Sequence, residues 1–402
     1  MILQGQDWLN AAATRRVMAA LEAAGGPDCA RFVGGCVRNA LIGQPVDDVD
    51  IATTLTPEQT DRAIRAAGLK AAPTGLAHGT VTAIADHRPF EITTLRRDVS
   101  TDGRNATVAF TDDWAEDAAR RDFRLNALYA DAGGRVLDPT GEGVADALAG
   151  RIVFVGDPAA RIREDYLRIL RFFRFFAWYG RGEPDAPGLA ACTALASGMT
   201  RLSAERVSKE LMKLLAAPDP GPAVAAMDAA GVLGRILPEG ELTPAFAAMV
   251  RLSGDPVLRL MVLTPADAVV AVAASQRLRL PNRTRDRLAA AAGVEVDPSM
   301  TAAQVRAAVY RHGAQAVVDA LLRRSAERPD EARALDGLRE VAGGWTPPRM
   351  PVGGRDLARL GVPPGPETGR LLKAFEAGWV ADDFPEEGHA ARLEALVMDG
   401  RG

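Results

Sequence analysis

Cysteine is scarce in this chain: three residues among 402, Cys29, Cys36 and Cys192. None sits in a CxxC pair or beside a histidine, which argues against a disulfide framework, a dithiol redox pair and a zinc site, and fits a reducing compartment. A surplus of positive charge is also missing. Lys and Arg total 48 against 52 Asp and Glu, a formal net charge of -4, so a nucleic-acid partner would have to be met by local basic patches rather than by a global field. Nowhere do about eighteen apolar residues follow one another, and the opening segment MILQGQDWLN lacks a basic stretch leading into an apolar run. The expectation is a chain with no membrane span or export signal, working in the cytoplasm. Internal repeats and low-complexity tracts are absent as well.

What is present exceeds the size that one core usually serves. The first part of the chain, to roughly residue 140, mixes short β-like runs (CARFV, TVTAI, FEITTL, RVLD) with helical stretches (AATRRVMAALEAAG, EQTDRAIRAAG), as an α+β unit does. From Asp157 onward, Ala-, Leu- and Arg-rich segments with helical spacing are broken by Pro and Gly clusters such as PDPGPAV and LPNRTR, which predicts an all-helical remainder. Near the end, GGWTPPRMPVGGRDLARLGVPPGPETGRLL reads as a linker followed by two short helices joined by a Gly/Pro turn.

The richest stretch is Arg31 to Thr54, RFVGGCVRNALIGQPVDDVDIATT. It reads as strand, Gly-Gly turn, short helix ended by Gly43, loop and second strand. In a strand alternate side chains share a face, so Asp48 and Asp50 point together while Val49 and Ile51 point into the core. Two carboxylates so close are unfavourable unless a cation neutralises them, and oxygen-rich sites of this kind suit Mg2+. The turn at Gly34 and Gly35 allows close backbone approach to a phosphate at a helix start, and Arg38, one turn in, would clamp a triphosphate. Taken alone, DDVD reads better as a charged loop running into an edge strand, and it is the company it keeps that favours the metal site.

The order of these features, GGCVRNALIGQPVDDVD, resembles the signature GGxVRDxLxGxxxxDxD of the polymerase-β-like nucleotidyltransferase superfamily, in its class II CCA-adding and poly(A) polymerase branch. Asn39 stands where the family usually has aspartate, which removes a charge beside Arg38 and touches neither metal ligand. FEITTLRRDVSTDGRNATVAF resembles the family's next strand and the flexible loop beyond it. There Glu91 is a candidate third carboxylate, with a solvated strand residue as the equal alternative. His78 also sits at a family-like position and reads better as structural. RRDFRLNA, Arg120 to Ala127, resembles the family's RRDFTxNA. The resemblance implies that Arg121 contacts the triphosphate while Asp122 and Asn126 hold the head together.

A polymerase without a template must choose its nucleotide with protein groups. In RIREDYLRILRFFRFF, Arg161 to Phe176, the residues Asp165, Arg168, Arg171 and Arg174 recur every third position, so neighbours in the series are adjacent on a helix. C and A share an exocyclic amino donor beside an unprotonated ring nitrogen, and U and G present the opposite pattern. A carboxylate next to a guanidinium matches the first pair. Spacing alone also fits an amphipathic helix whose charges pair on its surface. EDYLRILRFFRF resembles the family's EDxxRxxRxxRF, which implies base reading by Asp165 and Arg168 and triphosphate contact by Arg171 and Arg174. RLSAERVSKELMKLL resembles the family's ERxxxE element; Glu205, Arg206 and Glu210 are expected to be structural, with Arg206 pairing Glu210.

Arg277, Arg279, Arg283, Arg285 and Arg287 concentrate around one turn, as a phosphate-tracking patch or as a solvated helix surface. The C-terminal segment resembles the tail hairpin of many CCA-adding enzymes, and no adjacent His-Asp pair marks an appended phosphohydrolase domain. The resemblance implies an α+β, polymerase-β-like head at 1–143, a helical neck with base reading at 144–224, and a helical body and tail at 225–402 that binds tRNA. The implied activity is addition of CCA to the 3′ end of tRNA from CTP and ATP, catalysed by Asp48, Asp50 and Glu91 with two Mg2+ ions. Gly35, Arg38, Arg121, Asp165, Arg168, Arg171 and Arg174 would bind the nucleotide. The rivals are a poly(A) polymerase, which would carry a longer basic extension; a partial enzyme, against which the loop around Asp102-Gly103-Arg104 argues for the CC-only form; and a non-catalytic RNA-binding protein, which would most simply have lost one of the paired aspartates.

Overall fold

The computed structural model describes residues 1–75, 79–102 and 105–399. His78 and the loop tip Gly103-Arg104 lie outside them. The chain divides into two compact units, Met1–Pro238 and Glu239–Gly402, so the first unit holds both the expected head and the expected neck.

The first unit opens with α1 (Asp7–Asn10) and α2 (Ala12–Gly25). The latter buries Ala13, Val17, Met18 and Leu21 at helical spacing and ends where Gly26 turns to φ 82°, a conformation glycine adopts without Cβ strain. Strand β1 (Ala30–Val33), α3 (Gly35–Leu41) and β2 (Asp50–Thr53) follow, then α4 (Pro57–Ala66), β3 (Lys70–Gly75), β4 (Thr80–Ala85) and β5 (Arg88–Thr94). A capping box of Thr56 and Gln59 starts α4. With the two-residue strands β8 (Tyr129–Ala130) and β9 (Val136–Leu137), these form one sheet in the order β3-β4-β5-β2-β1-β8-β9. All neighbours are antiparallel except β2 and β5, which run parallel with Asp50 opposite Glu91. Alternation is clear in β5, where Phe90 and Ile92 are buried on either side of the exposed Glu91, as the two-residue strand period requires.

The expected loop after β5 is in its described part a two-stranded ribbon, β6 (Arg96–Asp102) with β7 (Asn105–Phe110). The run DVST alternates polar with β-branched residues, and its neighbour NATVAF carries Thr, Val and Phe, residue types that favour a strand over a free loop. Helices α5 (Trp114–Ala119) and α6 (Gly143–Ala149) close the mixed region, and the rest of the unit is helical: α7 (Pro158–Glu164), α8 (Leu167–Tyr179), α9 (Ala186–Leu195) and α10 (Ala204–Leu215), then two shorter helices. The phenylalanines of α8 extend into the mixed region. Phe172 stacks on Phe154 at 5.6 Å, and Phe175 packs against Phe123 at 5.1 Å. One aromatic core thus serves both the sheet side and the neck helix.

The second unit is helical throughout its described residues, with one apolar cluster around Val305, Val317, Leu321 and Leu335 and another around Leu357, Phe375 and Trp379. Its C-terminal segment has the expected linker and two helices, Gly354–Arg359 and Pro366–Ala381; the second, at sixteen residues, is longer than the sequence suggested. No helix among the described residues is long and apolar enough to cross a membrane.

Candidate active site

Gly34 sets the local geometry. Its φ of +70° turns the chain from β1 into α3, and the helix so begun leaves its first N–H groups without intrahelical partners. The short helix ends at Gly43, again at positive φ, and the chain returns through an exposed loop to β2.

The paired aspartates do not both lie in the strand. β2 begins at Asp50, so Asp48 is an exposed loop residue and Val49 is only half-buried, while Ile51 is core as expected. Strand alternation therefore does not set the two carboxylates on one face, and Asp48 is carried by the loop. They nevertheless act on one another. Burial, then the charge of Glu91, then that of Asp48 push the Asp50 carboxyl up to about 6, against the opposing pull of Arg121. Three carboxylates and one guanidinium thus share one field at the β2–β5 edge, and the parallel register supplies Glu91. Among the described residues no group of three or more His, Cys, Asp or Glu side chains closes into a ready metal cage. A site built on one or two carboxylates and completed by phosphate and water oxygens needs none, and that is the ordinary Mg2+ arrangement. The raised Asp50 carboxyl marks the place where a cation would relieve the most repulsion.

Arg121 faces this cluster from the next motif. Its Nε and Nη2 donate to Asp117 Oδ2 at 3.2 and 2.9 Å, and its Nη1 lies 3.7 Å from where a Cβ on Gly34 would stand. Burial opposes its charge, and Tyr129 and Asp117 more than compensate, raising its pKa. Asp117, 1% exposed, also takes Arg120 at 2.7 Å and Tyr129 Oη at 2.7 Å. Although burial works the other way, Arg121 and Arg120 hold its carboxyl down at about 2. Asp117 was not anticipated, although its i+3 and i+4 spacing to Arg120 and Arg121, just past the end of α5, is a legible signal.

Arg38 departs from expectation. It is 6% exposed. Its Nε and Nη2 donate to Asn39 Oδ1 (3.1 and 2.8 Å), Nη1 donates to Asn126 Oδ1, and Nη2 also donates to Tyr179 Oη (2.8 Å). Its guanidinium lies over the Tyr179 ring at 3.9 Å. Four of its five N–H groups are engaged inside the fold, so Arg38 braces α3 against α8 and is not placed as a triphosphate clamp. Tyr179 was not anticipated, because nothing local in the sequence links residues 141 apart.

The helix expected over Arg161–Phe176 is broken. Asp165 is extended (φ -153°, ψ 107°) between α7 and α8, and its Oδ1 accepts from Leu167 N at 3.1 Å. A short polar side chain that bonds the backbone two residues on competes with helix continuation. Asp165 and Arg168 are consequently not an ion pair. Arg206 Nη2 donates to Asp165 Oδ2 at 2.6 Å, and Arg168 Nη1 donates to Glu164 Oε2 at 2.6 Å. Arg171 pairs with Asp122 (2.5 Å) and Arg174 with Glu210 (2.5 Å). The expected Arg206–Glu210 pair is absent, each partner having been taken by α7–α8: the ERxxxE element braces the neck motif from outside. Arg168 Nη2 also donates to Arg120 O at 3.2 Å, so the neck motif rests on the residue next to Arg121, which faces Asp50. In the second unit, Arg287 is held by Asp319 and Asp255, Arg277 by Glu239 and Arg285 by Asp286, which thins the expected basic patch.

A profile described as "Poly A polymerase head domain" matches residues 30–153, and one described as "Probable RNA and SrmB- binding site of polymerase A" matches residues 187–242. The CCA tRNA nucleotidyltransferase 1, mitochondrial, of Danio rerio is 34% identical over 368 residues, 87% of this chain and 83% of its own length. The CCA-adding enzyme of Levilactobacillus brevis is 30% identical over 399 residues, 96% of this chain and 97% of its own.

This chain belongs to the CCA-adding enzyme family.

It is accordingly a nucleotidyltransferase, as the resemblance implied. The Bacillus stearothermophilus CCA-adding enzyme, solved in complex with CTP, shares the fold with a TM-score of 0.75 at 24% identity, over 96% of this chain and 97% of that one. That likeness shows the fold, an α+β head over which the poly(A) polymerase head profile lies, followed by a helical remainder.

Proposed function

We propose that this chain adds C, C and A to the 3′ end of tRNA from CTP and ATP, with Asp48 and Asp50 as metal ligands and Glu91 as a third carboxylate at the same centre. The observation that carries the site assignment is the raised Asp50 carboxyl, whose two largest charge contributions come from Glu91 and Asp48. The acceptor and the nucleotides rest on the family, whose members are named for CCA addition to tRNA.

The donor set suits Mg2+, which when bound would stabilise charge on the attacking and leaving oxygens of an in-line transfer. The chain's own residues do the rest. Arg121, fixed by Asp117, offers fixed positive charge beside the Gly34–Gly35 turn, where backbone approach of a triphosphate meets no side chain. Asp165 and Arg168 are the proposed base readers. A carboxylate has about four lone-pair sites; two of those on Asp165 take Leu167 N and Arg206, leaving acceptor capacity for an exocyclic amino group. Arg168 has three donors engaged with Arg161 O, Glu164 and Arg120 O, so its guanidinium is oriented before a base arrives. Arg171 and Arg174 would reach phosphate only by sharing Asp122 and Glu210. In this reading the head is 1–143, the neck 144–224 and the tRNA-binding body and tail 225–402.

The test is single-nucleotide resolution of products from tRNA lacking its terminus, incubated with CTP, ATP or both. Addition of C, C and then A is expected. Long A tails would support the poly(A) reading instead, and arrest after CC a partial enzyme.

A further inference from the structure

We propose that Asn39 is a positioning residue for the metal centre: its amide N–H ties down the loop that delivers Asp48. The inference rests on the reading of Asp48 and Asp50 as metal ligands. Asn39 lies in the last turn of α3. Its Oδ1 accepts Nε and Nη2 of Arg38 at 3.1 and 2.8 Å, and its Nδ2 donates to the Pro45 carbonyl at 2.8 Å. Gln44 N donates in turn to the Asn39 carbonyl at 2.8 Å. Two successive loop residues are thus pinned to one helix position, three residues before Asp48.

The anchor is itself held, because Arg38 is buried and bonded to Asn126 and Tyr179. The loop has little else to hold it. Gly43, Gln44, Pro45, Asp47 and Asp48 are exposed, with only Val46 half-buried between them. Asn presents an acceptor and a donor on one short arm, and both are used here. The aspartate of the family pattern would keep the acceptor for Arg38 but would set a carboxylate oxygen against the Pro45 carbonyl, two acceptors facing one another. The departure from the pattern exchanges a charge on the arginine for a second point of attachment on the loop. With the tether cut, Asp48 spends less time beside Asp50 and Glu91, and the centre holds its cation less tightly.

The probe is Mn2+ alone, its binding to the full chain followed by electron paramagnetic resonance without nucleotide or tRNA, alongside the melting temperature. Asn39→Asp is expected to weaken Mn2+ binding about fivefold, the worth of one net hydrogen bond, with a melting temperature close to that of the unaltered chain. Asn39→Ala also loses the Arg38 contact, so it should melt lower than Asn39→Asp while weakening Mn2+ no further. Unchanged Mn2+ affinity in Asn39→Asp overturns the tether, and so does an affinity that tracks melting temperature across the two variants. Asp48→Asn separates the two readings. If it leaves Mn2+ binding intact, the metal-site assignment itself fails; if it abolishes binding while Asn39→Asp does not alter it, only the tether fails.

Discussion

Asp50 carries the clearest consequence of burial among like charges. Its carboxyl is raised to about 6, above the unfolded value near 4, so between about pH 4 and 6 the folded chain binds more protons than the unfolded one. Stability without metal then falls as pH rises through that window and stays lower above it. Asp50→Asn is expected to stabilise the metal-free fold at pH 8 by on the order of 2 kcal/mol, seen as a higher melting temperature, while abolishing nucleotide addition. A calorimetric scan with chelator checks the first and the tRNA assay the second. In the active chain, protons compete with the cation, so the Mg2+ concentration for half-maximal activity should climb as pH drops below about 6. Asp117 has the opposite sign. Its carboxyl is held at about 2, so its contribution is present above pH 4 and lost as pH falls toward 2. Asp117→Asn leaves Arg120 and Arg121 without their buried counter-charge and is expected to destabilise by about 3 kcal/mol or more, read by urea denaturation at pH 7.

At the scale of elements, the break between α7 and α8 decides how the neck motif works. A continuous helix would have set Asp165 and Arg168 one turn apart and paired them. The break instead gives each its own bracing partner, Arg206 and Glu164. Arg206→Ala is therefore expected to lower the preference for CTP and ATP over UTP about tenfold, with Mn2+ binding unchanged; single-turnover competition between nucleotides measures it, and retained selectivity would move base reading away from Asp165. Tyr179→Phe keeps the ring over Arg38 and loses one hydrogen bond, so a cost of about 1 kcal/mol is expected, whereas Tyr179→Leu removes the stacking as well and should cost more. Much of this level was legible in the sequence. The periodicity of AATRRVMAALEAAG delivered α2 to the residue, and the order strand, Gly-Gly turn, helix, loop, strand over Arg31–Thr54 stands in the structure. What failed was reading partners from spacing. Helical arithmetic set Arg206 beside Glu210 and Asp165 beside Arg168, but Glu210 meets Arg174 and Arg206 meets Asp165, so tertiary geometry chose the crossed pairs. Arg38 failed for a related reason: one turn into a phosphate-binding helix start is also one turn into the core, and sequence does not say which way a long side chain leaves the helix.

At the scale of the whole molecule, every residue assigned here to metal, triphosphate or base lies within the first compact unit, Met1–Pro238. A fragment ending at Pro238 is accordingly expected to bind CTP with Mg2+ about as the full chain does, and to bind tRNA far more weakly, because the proposed acceptor contacts lie beyond it; calorimetry with each ligand tests both halves of the statement. Although the net charge is -4, tRNA affinity should still fall as salt rises, with a slope set by the number of local phosphate contacts and not by the net charge.

The parallel pairing of β2 with β5 bears on how such a chain can change over evolutionary time. Asp50 and Glu91 meet because four residue pairs between the strands are in register, although α4, β3 and β4 intervene in sequence. Insertions or deletions in the connections between those elements leave the pairing untouched, and the length of that stretch is free to drift. Loss or gain of a single residue inside either strand is different in kind, since it turns Glu91 or Asp50 to the opposite face and breaks the centre in one step. The six ladder residues other than Asp50 and Glu91 should therefore tolerate conservative substitution, while the ladder as a whole admits no change in number, a constraint of length beyond that on the two carboxylates.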